Sequence, residues 1–148
     1  MKVLIIDRHP IYVLGLKQYL QILFNCEADI KTCPISEKVD FDLLENFDII
    51  ILNLDQFSEH FGKKLDYLCK SNQKLKPIGL VNNDYMEYLM KIDHLIFNAL
   101  VVSDLMIEEL RTIFNLLNEN KKYYSPEIIS FIHKNKVQNL KQIDYERN

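Results

Sequence analysis

Glycine and cysteine are scarce in this chain of 148 residues, which has 3 of each and 4 prolines. So little glycine excludes collagen-like repeats, and the globular share of hydrophobic residues, 48%, excludes disorder. Cys26, Cys33 and Cys69 are odd in number and form no CxxC pair, which gives neither a disulfide framework nor a zinc site. His9, His60, His94 and His133 likewise lack ligand spacing, so no metal is expected. An excess of positive charge is missing too. The 18 Lys and Arg face 21 Asp and Glu, a net charge of -3, so no overall field draws the chain to nucleic acid or anionic lipid. Long apolar runs are also absent from the start. MKVLIIDRHP holds a run of four broken by Asp7, too short for a signal peptide or a membrane span, and reads as a buried strand of a cytoplasmic protein.

What the sequence does contain is a repeated alternation. Apolar runs of strand length occur at Val3–Ile6, Ala28–Thr32, Ile49–Leu52, Ile78–Val81 and Leu95–Val102, each followed by a segment of helical period. Three of these runs show no polar alternation, as when helices cover both faces of a parallel sheet. Right-handed crossovers then make a five-stranded doubly wound α/β sheet the simplest fold, and the length fits one domain. In the first helix Pro10 suits the opening turn, and Val13, Leu16, Leu20 and Leu23 form the buried stripe. In the helix after the fifth strand the stripe is Met106, Leu110, Ile113 and Leu117, with Glu108 and Glu109 near its positive end. Ser125-Pro126-Glu127 starts a further short helix, and after His133 the polar, basic chain reads as a linker or tail.

In such a sheet, ligands bind beyond the carboxyl ends of the strands. The residues there are Asp7 and Arg8, Asn53, Asn82 and Ser103, separated along the chain by 46, 29 and 21 residues from Asp7 onward. The segments that hold them resemble the receiver domains of bacterial response regulators. KVLIIDRHP resembles the first strand with its acid pair, and DIIILNLD the third strand with its phospho-accepting aspartate. KPIGLVNND is similar to the fourth strand with its Thr or Ser, and ALVVSDLMIEEL to the fifth strand ending in lysine. YYSPEII is similar to the segment that follows the receiver in the NarL/FixJ subfamily, ahead of its helix-turn-helix domain. The resemblance implies a CheY-like sheet in the order 2-1-3-4-5, a receiver at residues 1–120, and an extra helix and tail at 121–148. It also implies transcriptional control, either with DNA contact through a further C-terminal domain or as a stand-alone adaptor.

Carried over residue by residue, Asp7 keeps the first acid. The second acid is Arg8, the acceptor is Asn53, the Thr/Ser is Asn82, the lysine is Ser103, and the aromatic switch position is Leu100. An amide cannot form an acyl phosphate. Magnesium needs anionic oxygens, and a guanidinium about 4 Å from a dication costs on the order of 8 kcal/mol at an effective dielectric of 20, twice the single-charge figure. The expectation is a non-enzymatic, phosphorylation-independent receiver without cofactor, its pocket locked by an Arg8–Asp7 pair and by hydrogen bonds shared between Asn53 and Asn82. It would act through a protein partner or as a homodimer, on the face of the fourth helix, fifth strand and fifth helix, where Leu105, Glu109 and Leu116 are the candidate residues. Ile11 and Ile22 on the first helix form a second patch. Blander readings stay open: Asp7 as a helix cap, the asparagines as turn residues, the leucines as isolated surface residues. Two other functions stay open as well, phosphorylation at a shifted Asp55 and a small α/β hydrolase using Asp7.

Overall fold

Successive side chains of a strand point to opposite faces, so an unbroken apolar run demands cover on both sides. The computed structural model, which describes residues 1–93, 96–104 and 107–147, supplies that cover. Its elements are β1 (Lys2–Ile6), α1 (Pro10–Leu23), β2 (Asp29–Cys33), α2 (Phe41–Leu44), β3 (Ile49–Asn53), α3 (Glu59–Ser71), β4 (Lys76–Val81), β5 (Ala99–Val102), α4 (Ile107–Asn118), β6 (Tyr123–Tyr124) and α5 (Pro126–Arg147). Short 3-10 turns lie at Ser36–Lys38, Leu54–Gln56 and Asn83–Lys91. Val3, Ile5, Ile49, Ile51, Leu80 and Val101 meet Leu16 and Leu20 of α1 and Leu110, Ile113 and Leu117 of α4 on one face. Leu4, Ile6, Ile50, Leu52, Val81 and Leu100 meet Leu44, Phe61, Leu65, Leu68 and Ile128 on the other.

All strand pairs are parallel, and their order is β2-β1-β3-β4-β5-β6. The expected five strands and their order are present, and the count is corrected to six. β6 pairs Tyr123 with Ala99 and Tyr124 with Leu100. Two residues are too few to show a period, which is why this strand leaves no pattern in the sequence. The junction is completed by Ser125, which is fully buried: its backbone N–H donates to the Leu100 carbonyl (2.9 Å), and its Oγ accepts from Val102 N–H (3.2 Å). Helix α5 then lays Ile128, Phe131 and Ile132 on the second core, beside Met86, Tyr88, Ile92 and Ile96. It runs to Arg147, where the sequence reads as a tail from His133 onward, because residues 134–147 hold neither glycine nor proline to stop a helix. The fourth crossover is not an α-helix but the 3-10 segment Asn83–Lys91, broken at Tyr85 (φ −132°, ψ 40°). Among the described residues, no helix is long and apolar enough to cross a membrane.

Gly79 sits in the middle of β4, where a Cβ would come within 2.7 Å of Leu100 Cδ2 and 3.1 Å of both Leu54 Cδ2 and Phe97 Cδ1. All three neighbours are fully or almost fully buried, so none can swing away. Gly79→Ala is therefore expected to lower unfolding stability by about 1–3 kcal/mol, the usual cost of overpacking, measured as a shift of the urea midpoint at constant slope.

Candidate functional site

Where β1 ends, Asp7 turns inward and is only 5% exposed. A buried carboxylate must be compensated by donors, and this one is. Its Oδ1 accepts from the backbone N–H of His9 (2.9 Å) and from His9 Nδ1 (2.7 Å), and its Oδ2 accepts from Asn53 Nδ2 (3.2 Å). Asp7 does not cap α1, whose Pro10 occupies the first helical position without needing a donor bond. His9 is the site residue that sequence reasoning set aside. Its position two residues after an acid at a strand end, just before the helix-starting proline, is the signal that marks it.

The asparagines at the next two strand ends serve both of the roles open to them. Asn53 Oδ1 accepts from Asp55 N–H (3.2 Å) and starts the turn Leu54–Gln56, while its amide nitrogen holds Asp7. Asn82 Oδ1 accepts from Asp84 N–H (2.9 Å) and starts the turn Asn83–Lys91. The predicted bonds between the two asparagines are replaced by these local ones, because each oxygen finds a backbone donor two residues on. The predicted Arg8–Asp7 pair is replaced as well. The exposed Arg8 guanidinium reaches Asp55 instead, Nη2 to Oδ2 at 3.2 Å, since both oxygens of Asp7 already hold nearer donors and lie beneath the surface. Asp55 itself is 14% exposed, and its Oδ1 is buried with no hydrogen-bond partner among the described residues. It belongs to the turn after β3 and not to a continued strand.

Arg8, His9, Asn53, Asp55 and Asn82 line a cavity of about 330 Å³ together with Tyr85 and Tyr88. Ser103 is not part of that lining. Its backbone N–H donates to the Val81 carbonyl (2.8 Å), and its own carbonyl accepts from Tyr12 Oη (2.8 Å), which ties α1 to the loop after β5. Burial, reinforced by the charges of Asp7 and Asp104, pushes the Tyr12 hydroxyl far above its ordinary range. Leu100 is fully buried in the second core and has no exposed rotamer to offer. Of the candidate interface residues, Glu109 is engaged by Tyr123 Oη (3.0 Å) and Ser125 Oγ (3.4 Å), Leu116 is half-buried, and Leu105 lies outside the described residues. A larger cavity, about 420 Å³, lies away from these groups, against β2 and α2, among Leu4, Lys31, Cys33, Val39, Leu43 and Phe47.

The fold implies a magnesium ion at the carboxyl edge, and the donor set does not fit one. Asp7 is the one acid kept at the matched positions and both of its oxygens carry donors, the second acid position is a cation, and the nearby Asp55 is ion-paired with that cation. Among the described residues, no three His, Cys, Asp or Glu side chains are grouped so as to hold a metal.

Two substitutions test this geometry. Asn53→Asp sets a second carboxylate about 3.2 Å from Asp7 in place of a donor, and a loss of about 1–3 kcal/mol in unfolding stability at neutral pH is expected. Tyr12→Phe tests the raised hydroxyl. A raised folded-state pKa gives stability that is fully present below pH 10, the unfolded value, and is lost as the pH rises above it. The wild-type protein should therefore lose stability above pH 10 more steeply than Tyr12→Phe, by about 1.4 kcal/mol per pH unit, in urea titrations between about pH 10 and pH 12.

No protein-family model and no curated protein matches the sequence. Solved structures do match. The isolated receiver domain of RcsB from Salmonella enterica serovar Typhimurium, in the apo form, shares 19% identity over 90% of this chain and 98% of that one, with a TM-score of 0.67. A structure of two RcsB dimers bound to two parallel DNAs shares 20% over 90% of this chain and 68% of that one, at 0.68. The response regulator ChrA, from a heme-sensing two-component system, shares 12% over 90% and 64%, at 0.66. The chain thus spans nearly all of an isolated receiver and about two thirds of the longer regulators. At these identities the likeness establishes the architecture: this chain has the fold of a response-regulator receiver domain.

Proposed function

We propose that this chain is a receiver of the NarL/FixJ type whose phosphorylation site has become a fixed structural element, and that it acts by protein contact in transcriptional control. The observation that carries this reading is the engagement of both oxygens of the buried Asp7 by His9 and Asn53. A working receiver keeps this carboxylate ready for a metal, whereas here three donors of the chain itself occupy it. The second support is Asn53, an amide where the nucleophile must be a carboxylate oxygen. The third is Leu100, a buried aliphatic side chain that cannot report a change of state as an aromatic rotamer would. On this reading the domain is cytoplasmic, is not an enzyme and takes no cofactor. Its own 148 residues carry a net charge of -3 and make no nucleic-acid contact, and DNA contact falls to a separate domain, in keeping with the DNA-bound RcsB dimers among the similar structures.

A second reading has one observation in its favour. Asp55 lines the cavity and keeps one oxygen without a hydrogen-bond partner among the described residues, so it is a candidate shifted acceptor. Against it stands the Arg8 ion pair on its other oxygen. The hydrolase reading fares worse, because a nucleophilic Asp7 would need exposure and a free oxygen.

Acetyl phosphate with magnesium, followed by intact-mass measurement, separates these readings. The expected result is an unmodified chain and a thermal midpoint that millimolar magnesium leaves unmoved. A single phosphoryl adduct that disappears in Asp55→Asn would overturn the locked-pocket reading in favour of the shifted acceptor.

A further inference from the structure

The crossover between β2 and β3 covers little of the sheet. Where α1, α3 and α4 have 14, 13 and 12 residues, α2 has 4. At 1.5 Å per residue α2 is about 6 Å long, against about 16 Å for the strand β2. The pairing of β1 with β2 sets Lys2 beside Asp29, Leu4 beside Lys31 and Ile6 beside Cys33, all on the side where Leu44 of α2 packs. One helical turn cannot cover that surface, and a hollow of about 420 Å³ remains. Leu4 and Cys33 line it from the strands, and Val39, Leu43, Leu44 and Phe47 from the crossover. Leu43 is 54% exposed at its edge. Both the size and the apolar interior with a few polar groups around it match small-molecule sites, which span about 300–1,000 Å³.

The charges around the hollow select the kind of ligand. Lys2, Lys31 and Lys38 line it, as do Asp29 and Asp40, whereas Asp42, Glu45 and Asp48 do not. Asp40 is engaged, since its Oδ1 accepts from Asp42 N–H (3.0 Å) and caps α2. Asp29 and Lys31 form an exposed pair at 3.6 Å, a contact of the kind worth little in water. Lys2 and Lys38 are exposed and hold no ion pair among the described residues. In a chain of net charge -3 the mouth of this hollow is thus a local excess of positive charge.

We infer that the hollow binds a small amphipathic acid, a ligand with an apolar body and one carboxylate. The body lies against Leu4, Leu43 and Phe47, and the carboxylate meets the lysines at the mouth. A neutral ligand of the same shape forgoes the lysines, and an ammonium is repelled by them, so charge fixes the order of affinity. The inference stands apart from the Asp7 pocket, which neither Leu43 nor these lysines line.

Octanoate, octanol and octylammonium share one chain and differ in head group. Titrated to about 5 mM into the full isotope-labelled protein, a range that reaches weak sites, they test the inference through amide chemical shifts. Octanoate should move the amides of Cys33, Val39, Leu43 and Phe47 along one saturable isotherm, and octylammonium should not. Changing both lysines, Lys2→Gln with Lys38→Gln, should weaken octanoate about threefold or more, as the loss of two exposed ion pairs does, and leave octanol unchanged. Leu43→Gln should weaken octanoate and octanol alike. These positions are exposed, so a dispersed amide spectrum is expected of every variant. A readout that needs no variant is thiol alkylation mapped by peptide mass: octanoate should slow the half-buried Cys33 and leave the exposed Cys26 unaffected. No saturable shift at these amides, equal binding of octanoate and octylammonium, full binding by the lysine variant, or an unchanged rate at Cys33 would overturn the proposal. Shifts of the same amides on concentrating the ligand-free protein would give the hollow to a second copy, and would overturn it as well.

Discussion

A carboxylate taken out of water has to find donors, and around Asp7 the chain arranges itself to provide them. Two come from His9, held by the turn that leads into α1, and one from Asn53 at the end of the neighbouring strand. β1 and β3 are adjacent in the sheet, with Ile6 level with Leu52, so the pairing register alone brings Asp7 and Asn53 within reach. Replacing an acid by an amide at position 53 turns what would be a repulsive pair into a hydrogen bond. With both of its oxygens engaged, the buried carboxylate leaves Arg8 without a partner inside, and the guanidinium settles on Asp55 at the rim. Most of the site's geometry follows from that one compensated charge.

How much of this the sequence reveals depends on how local the physics is. β1, β3 and β4 are legible because buried parallel strands must be apolar on both faces, and each of the expected runs corresponds to a strand. The stripes of α1 and α4 are legible for the same reason, with Leu16, Leu20, Leu110, Ile113 and Leu117 buried and Val13 and Leu23 half-buried against the same core, while Met106 lies outside the described residues. The positions beyond the strand ends are fixed by the topology, so Asp7, Asn53 and Asn82 fall at one edge as expected. Their partners are another matter. A long arginine side chain chooses among acids by a few ångströms of tertiary geometry, and no spacing rule distinguishes Asp7 from Asp55. His9 does not stand out because histidine is judged by metal spacing, while its role here is a hydrogen bond to a neighbour two residues away. β6 is not legible because two residues carry no periodicity.

The face expected to bind a partner shows how a later element changes the meaning of an earlier one. The edge of β5 and the segment Asn83–Lys91 would lie open in a five-stranded sheet. In this chain β6 takes the hydrogen bonds of that edge and α5 covers the apolar side chains next to it. Glu109, which reads as a surface acid from its helix alone, is drawn into the same junction by Tyr123 and Ser125. The large exposed apolar residues are most concentrated elsewhere, along α1.

The same junction bears on where this folding unit stops. A chain cut at residue 120, the boundary that the receiver resemblance suggests, would lose Tyr123, Tyr124, Ser125 and Ile128 together. β5 would be left with an unpaired ladder, Val102 would lose the acceptor for its N–H, and the apolar surface under Ile128 would meet water. An open, flat, hydrophobic strand edge is a template for pairing with other chains. Such a shortened protein would be prone to aggregate, so the residues after 120 act as the seal of the sheet and not as an appendage to it.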